Sequence, residues 1–103
     1  MTSIFNIGLA GLKAAETRVS ARAQNIVNWQ SVDYRPLVPV QTSAANGPLV
    51  KITRPADLTG DFPFVDLAAE FVDMSLAKHA YQASAKIIRT ADEMQKTLLD
   101  AIA

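Results

Sequence analysis

Proline has no place inside a helix, and all five prolines of this chain, Pro36, Pro39, Pro48, Pro55 and Pro63, lie in its middle third. The chain thereby divides itself into a proline-free arm, a non-helical insert and a second proline-free arm. In the first arm Phe5, Leu9, Leu12, Ala15, Val19, Ala23 and Ile26 recur at a mean step of 3.5 residues, the period of helices that pair as coiled coils. The second arm repeats that period through Leu67, Phe71, Met74, Ala77, Tyr81, Ser84, Ile88, Ala91, Met94, Leu98 and Ile102. We expect a mainly α fold. Two long terminal helices pair as an antiparallel, coiled-coil-like hairpin, with a Pro-rich loop and a short β-hairpin between them. The expected boundaries are 1–28, 29–65 and 66–103, making one structural unit.

Local signals fill in the elements. Thr2 or Ser3 can cap a helix from about Ile4 to about Val27, and Asn25 and Asn28 are short polar residues suited to bonding the carbonyls left over at its end. Pro36 then forces Arg35 into extended geometry, and Asp33 is a residue type that tolerates a left-handed turn. Leu37 to Thr42 and Leu49 to Thr53 read as strands flanking a loop, Ser43 to Pro48, with Asn46-Gly47 at its tip. Pro39 demotes the first run to an edge strand. Arg54 to Pro63 reads as loop. Asp66 then stands where a cap belongs, with Glu70 placed to complement the dipole of a helix running to about Leu99.

Charge and composition narrow the function classes. The chain has 103 residues, 50% of them hydrophobic, and a formal net charge of zero, which gives no electrostatic support to nucleic-acid or membrane-surface binding. The charge is nevertheless divided, +2 over residues 1–35 and −2 over residues 66–103, so the arms complement each other. No cysteine is present, which removes disulfides and thiolate metal sites. The apolar opening lacks a basic segment and is interrupted by Asn6, Gly8 and Gly11, unlike a signal peptide. No stretch has the length of a membrane span.

The end of the first arm reads Ser20-Ala21-Arg22-Ala23-Gln24-Asn25-Ile26-Val27-Asn28-Trp29-Gln30-Ser31-Val32-Asp33-Tyr34-Arg35. It resembles the amino-terminal signature of the flagellar axial proteins of rod and hook, S-A-x-N-I-A-N-x-x-T-x-G-Y followed by R or K. The second arm, with Val65-Asp66-Leu67-Ala68-Ala69-Glu70-Phe71-Val72-Asp73-Met74 and Ala80-Tyr81-Gln82-Ala83-Ser84-Ala85-Lys86-Ile87-Ile88-Arg89-Thr90-Ala91-Asp92-Glu93-Met94, is similar to the carboxy-terminal signature of the same family. Trp29, Asp33, His79 and Ser84 depart from the usual residues. The resemblance implies a structural subunit of the bacterial flagellar basal body, stacking helically with its neighbours. It implies as partners further copies of itself, other rod and hook proteins and the flagellar export apparatus, and as location the periplasmic basal body. The short insert favours a proximal rod protein over the hook.

The residues expected to carry assembly are the seams, Phe5, Leu9, Leu12, Val19 and Ile26 on one arm and Leu67, Phe71, Met74, Tyr81, Ile88, Met94, Leu98 and Ile102 on the other. Asn25, Asn28, Asp33 and Tyr34 form a turn motif. An ordinary intramolecular hairpin would also show seams, but the second is longer than the first and leaves apolar surface over. Within its arm, Tyr81 reads as core packing. Trp29 fits equally a plug beneath the turn and an anchor in a neighbour's groove. His79 has no acidic residue at helical spacing and reads as solvated. With no catalytic arrangement, phosphate loop or carboxylate pair in evidence, we expect no enzyme, no metal and no cofactor. The alternative reading is a small binding module or export chaperone, forming a dimeric four-helix bundle.

Overall fold

The structure, a computed structural model, describes residues 2–54 and 65–102; of the loop expected from Arg54 to Pro63, all but Arg54 lies outside the described residues. The chain is mainly helical, with a two-stranded antiparallel sheet between two helices. The elements are α1 (Thr2–Val27), β1 (Val38–Ala44), β2 (Gly47–Thr53) and α2 (Leu67–Ile102). Ser3 therefore lies inside α1 instead of capping it. Asp66 caps α2: the backbone N–H of Ala69 donates to Asp66 Oδ1 at 3.3 Å, satisfying one of the donors a helix leaves free at its start.

The exit from α1 is built by short polar side chains. Asn28 Nδ2 donates to the Gln24 carbonyl at 2.9 Å, and the Ser31 hydroxyl donates to Asn28 Oδ1 at 3.1 Å. Asp33 follows with φ 60°, a left-handed conformation that Asp adopts more readily than most residues. The chain leaves this turn extended and enters β1. Strand pairing runs from Val38 opposite Thr53 to Ala44 opposite Gly47, so the turn is only Ala45-Asn46. The expected six-residue loop is thus too long, and Pro48 sits in β2 opposite Ser43. A two-stranded sheet leaves each strand a free edge, where a missing N–H costs no ladder bond. Gly47 has φ +117°, and a Cβ there would lie 3.0 Å from Ala10 Cβ; glycine meets both demands.

α1 is the middle layer, with the sheet on one side and α2 on the other. The two helices are antiparallel, as three approaches along their length show. Gly8 faces Ile88 and Gly11 faces Ser84, while Arg22 meets Glu70 and Asp73. A Cβ added at Gly8 would fall 2.5 Å from Ile88 Cγ1, so the close approach depends on the bare backbone.

What this packing buries is small. The buried apolar side chains are Ala14, Ala15, Ala21, Ala77 and Ala91, and the largest fully buried side chain is Asn25. No described Leu, Ile, Phe or Met lies in the core. The radius of gyration is 17.9 Å, against about 13 Å for a compact chain of this length. The accessible surface is 7273 Å², where a compact monomer of this mass exposes about 5,700 Å². The difference is about twice the roughly 800 Å² that one partner contributes to a standard protein interface.

Candidate functional site

Two features stand out on this frame, a satisfied polar clamp at one end and open apolar surface along the rest. The clamp begins with the spacing of Arg22 and Asn25, three residues apart and so on one face of α1. Glu70 and Asp73 repeat that spacing in the first turns of α2. Arg22 Nη1 donates to both carboxylate oxygens of Glu70 at 3.2 Å, and Arg22 Nη2 lies 3.2 Å from Asp73 Oδ2. Glu70 is 6% exposed and sits at the positive end of the α2 dipole.

Asn25 is wholly buried and uses every hydrogen-bonding position it has. Its Nδ2 donates to the Leu37 carbonyl at 2.8 Å and to Glu70 Oε2 at 3.1 Å. Its Oδ1 accepts from the Tyr34 hydroxyl at 2.7 Å and from the Leu37 N–H at 2.8 Å. One side chain therefore ties α1 to the turn, to the start of the sheet and to α2. This differs from the helix-end role expected of Asn25, which Asn28 fills. No buried polar side-chain atom among the described residues lacks a partner, so the clamp reads as a device that holds position. The Tyr34 phenol is held above its ordinary value, first by burial, with Glu70 adding to the rise and Arg54 opposing it. The Arg54 guanidinium stands 5.9 Å from the ring centre.

The sequence signal for this clamp was the opposite net charge of the two arms; what it lacked was the register. In the structure the face of α2 against α1 runs through Glu70, Ala77, Ser84, Ile88 and Ala91. The expected seam shares four of these positions but also takes in Phe71 and Tyr81, both half-exposed. Tyr81, at 44% exposure, is not core in the lone chain. With Val19, Met74 and Phe71 it lines an open groove along the α1/α2 junction, edged by Glu16 and Lys78. Of the remaining seam residues, Phe5, Leu12, Val19, Ile26, Leu67, Met74 and Ile88 are partly covered, whereas Leu9, Met94, Leu98 and Ile102 are exposed. Trp29 is half-exposed at the base turn and His79 is exposed.

Residues 65–101 match the family described as flagellar basal body rod FlgEFG protein C-terminal. This segment is similar to the C-terminal part of the flagellar rod proteins, which supports kinship with that family. The match covers the two residues before α2 and all of α2 but its last residue, including Glu70, Asp73, Phe71, Met74, Tyr81 and Leu98. No curated protein matches the chain. No helix among the described residues is long and apolar enough to cross a membrane.

Proposed function

We propose that this chain is a polymerising subunit of the flagellar basal-body rod, its terminal helices packing as coiled coils with those of neighbouring subunits to form a torque-transmitting tube. The observation that carries this reading is the inverted burial of a rod-type domain: alanines and a polar clamp inside, Phe71, Tyr81, Leu98 and Ile102 outside. Each large apolar side chain that a neighbour covers contributes about 1.5–3 kcal/mol. Contacts of that kind, made head-to-tail, generate a helix of subunits instead of a closed pair. The subunit would reach its place through the flagellar export apparatus and work in the periplasm, alongside other rod and hook proteins.

The test is to delete the gene and complement it with a tagged copy. The tagged chain should co-purify with isolated basal bodies, and the deletion should leave cells without a complete rod and without motility. Basal bodies that are complete in the deletion strain, or that never contain the tagged chain, would refute the assignment.

A further inference from the structure

The two prolines inside the hairpin fix the phase of its hydrogen bonds. Neither Pro39 nor Pro48 has an N–H to give, so the pairs of Pro39 with Ile52 and of Ser43 with Pro48 are the ones without ladder bonds. The ladder runs through Val38 with Thr53, Val40 with Lys51, Thr42 with Leu49 and Ala44 with Gly47. The backbone groups of Gln41 and Ser43 therefore point away from β2, and those of Val50 and Ile52 point away from β1. The two edges are not equally open. α1 lies against β2 more than against β1, and Gly47, Pro48 and Val50 are half-buried where every residue from Val40 to Ala44 is exposed. Among the described residues no backbone bond from outside the hairpin reaches Gln41 or Ser43.

Charge is a common safeguard of a free edge, and this one has none. From Leu37 to Val50 the chain carries no charged residue. A strand added to β1 must be extended, must present its outward groups in the same phase and, because Pro39 offers no donor, is matched in full only from Gln41 onward. A second β1 meets all three conditions. Laid antiparallel about a two-fold axis at Thr42, Gln41 of each copy faces Ser43 of the other and exchanges both backbone bonds with it. Each Pro39 then falls opposite Ala45 in the turn, where no ladder donor is missed. Arg18 donates to Gln41 Oε1 at 3.5 Å, which puts the Gln41 side chain on the α1 face and Thr42 on the other, where it meets its own counterpart in a favourable Thr–Thr pair. β2 and its counterpart end about 14 Å apart across the combined sheet, so the α1 helices against them clear each other. We infer that the chain forms a closed two-fold dimer through β1, a continuous four-stranded sheet, as a state separate from the rod. A two-fold axis reverses one copy relative to the other, whereas head-to-tail contacts keep every copy in one orientation. The paired chain is thereby held out of the polymer, and the pair opens before a copy is incorporated. This hold-back rests on the polymerising-subunit reading; the pairing does not.

The absence of native cysteine lets single cysteines report the register. About the axis at Thr42, Val40 of one copy stands opposite Ala44 of the other, and such non-hydrogen-bonded pairs hold their Cα atoms about 4.5 Å apart, within reach of a disulfide. Val40→Cys and Ala44→Cys variants are purified, mixed and mildly oxidised, with Thr42→Cys oxidised alone and Leu49→Cys as the β2 control. The expected results are a 42–42 disulfide and, in the mixture, a 40–44 disulfide exceeding both 40–40 and 44–44, while Leu49→Cys stays reduced. Thr42→Lys sets like charges opposite each other at an exposed position, so it should keep the parent's helical circular dichroism and sediment as a monomer. A majority of 40–40 or 44–44, Leu49→Cys cross-linking as fast as Thr42→Cys, or a parent that stays monomeric at millimolar concentration overturns the pairing. Complementation with Thr42→Lys tests the hold-back, and basal-body incorporation at or above the parent's level is expected. Its loss would show that this edge serves the rod itself and overturns the separate state. A parent that never enters basal bodies refutes the rod assignment instead, and the cross-links still report on the edge.

Discussion

The two ends of the helix pair solve opposite problems. At the base, five polar side chains from α1, the turn after it and α2 bond one another, and the fold closes there without help. At the far end, α2 outruns α1 and leaves Leu98, Leu99 and Ile102 uncovered. A buried polar cluster contributes little net stability compared with an apolar one of the same size, but it tolerates no partial version, since each lost partner orphans the others. An exposed apolar ridge costs the lone chain little and gains its value on contact. The base therefore fixes one geometry, and the far end keeps its binding energy for a neighbour.

The largest expected effect lies at the base. Asn25→Leu keeps the volume but leaves the Leu37 N–H and carbonyl and the Tyr34 hydroxyl without partners, and removes one donor from Glu70. Several such orphans together should cost about 3–5 kcal/mol, most of the stability of a small domain. Urea unfolding of the isolated chain measures it. A loss under about 1 kcal/mol would mean that water replaces Asn25 freely and that the base is no more fixed than the tail.

The middle of the helix pair should respond less. Gly8→Ala drives a methyl into Ile88 Cγ1, at an overpacking cost of about 1–3 kcal/mol, partly offset by the roughly 1 kcal/mol that alanine gains over glycine in a helix. Gly11→Ala meets the Ser84 hydroxyl instead, which can rotate away, and the Ser84 Cβ at 3.2 Å, which must give by only a few tenths of an ångström. Thermal unfolding should therefore rank Gly8→Ala clearly below the parent and Gly11→Ala close to it. Equal, negligible effects would show that the helices separate easily and that the clamp alone holds them.

A smaller effect belongs to Tyr34. Because its folded pKa is raised above the ordinary 10.0, the folded chain keeps a proton that the unfolded chain has lost. The stability so gained is complete below pH 10 and disappears as pH rises through the raised value. Ionisation also takes away the hydrogen that the phenol donates to Asn25. Unfolding across this alkaline range should show the parent losing stability that Tyr34→Phe does not lose. Parallel curves would disconnect Tyr34 from the clamp.

How much of this was legible in the sequence divides along the same line. The arms, the insert, the Asp66 cap and the left-handed Asp33 follow from residues close together in the chain, and each of them has a local physical cause. The clamp does not: Arg22 and Glu70 are 48 residues apart, and nothing local says that a glutamate outranks Phe71 for the inner face of α2. Counting apolar residues chose Phe71 and Tyr81. The partners that Arg22 and Asn25 demand chose Glu70 and Asp73, turning the helix enough to put both aromatics in the groove. The hairpin loop was overestimated for a similar reason, since Pro48 reads as loop until the free edge of a two-stranded sheet accommodates it.

The smallest effect on the fold is expected where the consequence for assembly is total. Leu98→Asp alters a residue that is already 55% exposed and that no α1 residue faces, so unfolding of the isolated chain should stay within about 0.5 kcal/mol of the parent. In the assembled state the same carboxylate would lie against a neighbour's apolar surface, where an unpaired charge costs several kcal/mol, and its incorporation into basal bodies should fall to background. Unfolding and incorporation measured on the one variant separate the two roles. A stability loss comparable to that of Asn25→Leu would show that the tail is folded back into its own chain, and the contrast between the ends would fail. Normal incorporation of a stable Leu98→Asp chain would instead leave the base as the only end whose side chains are required.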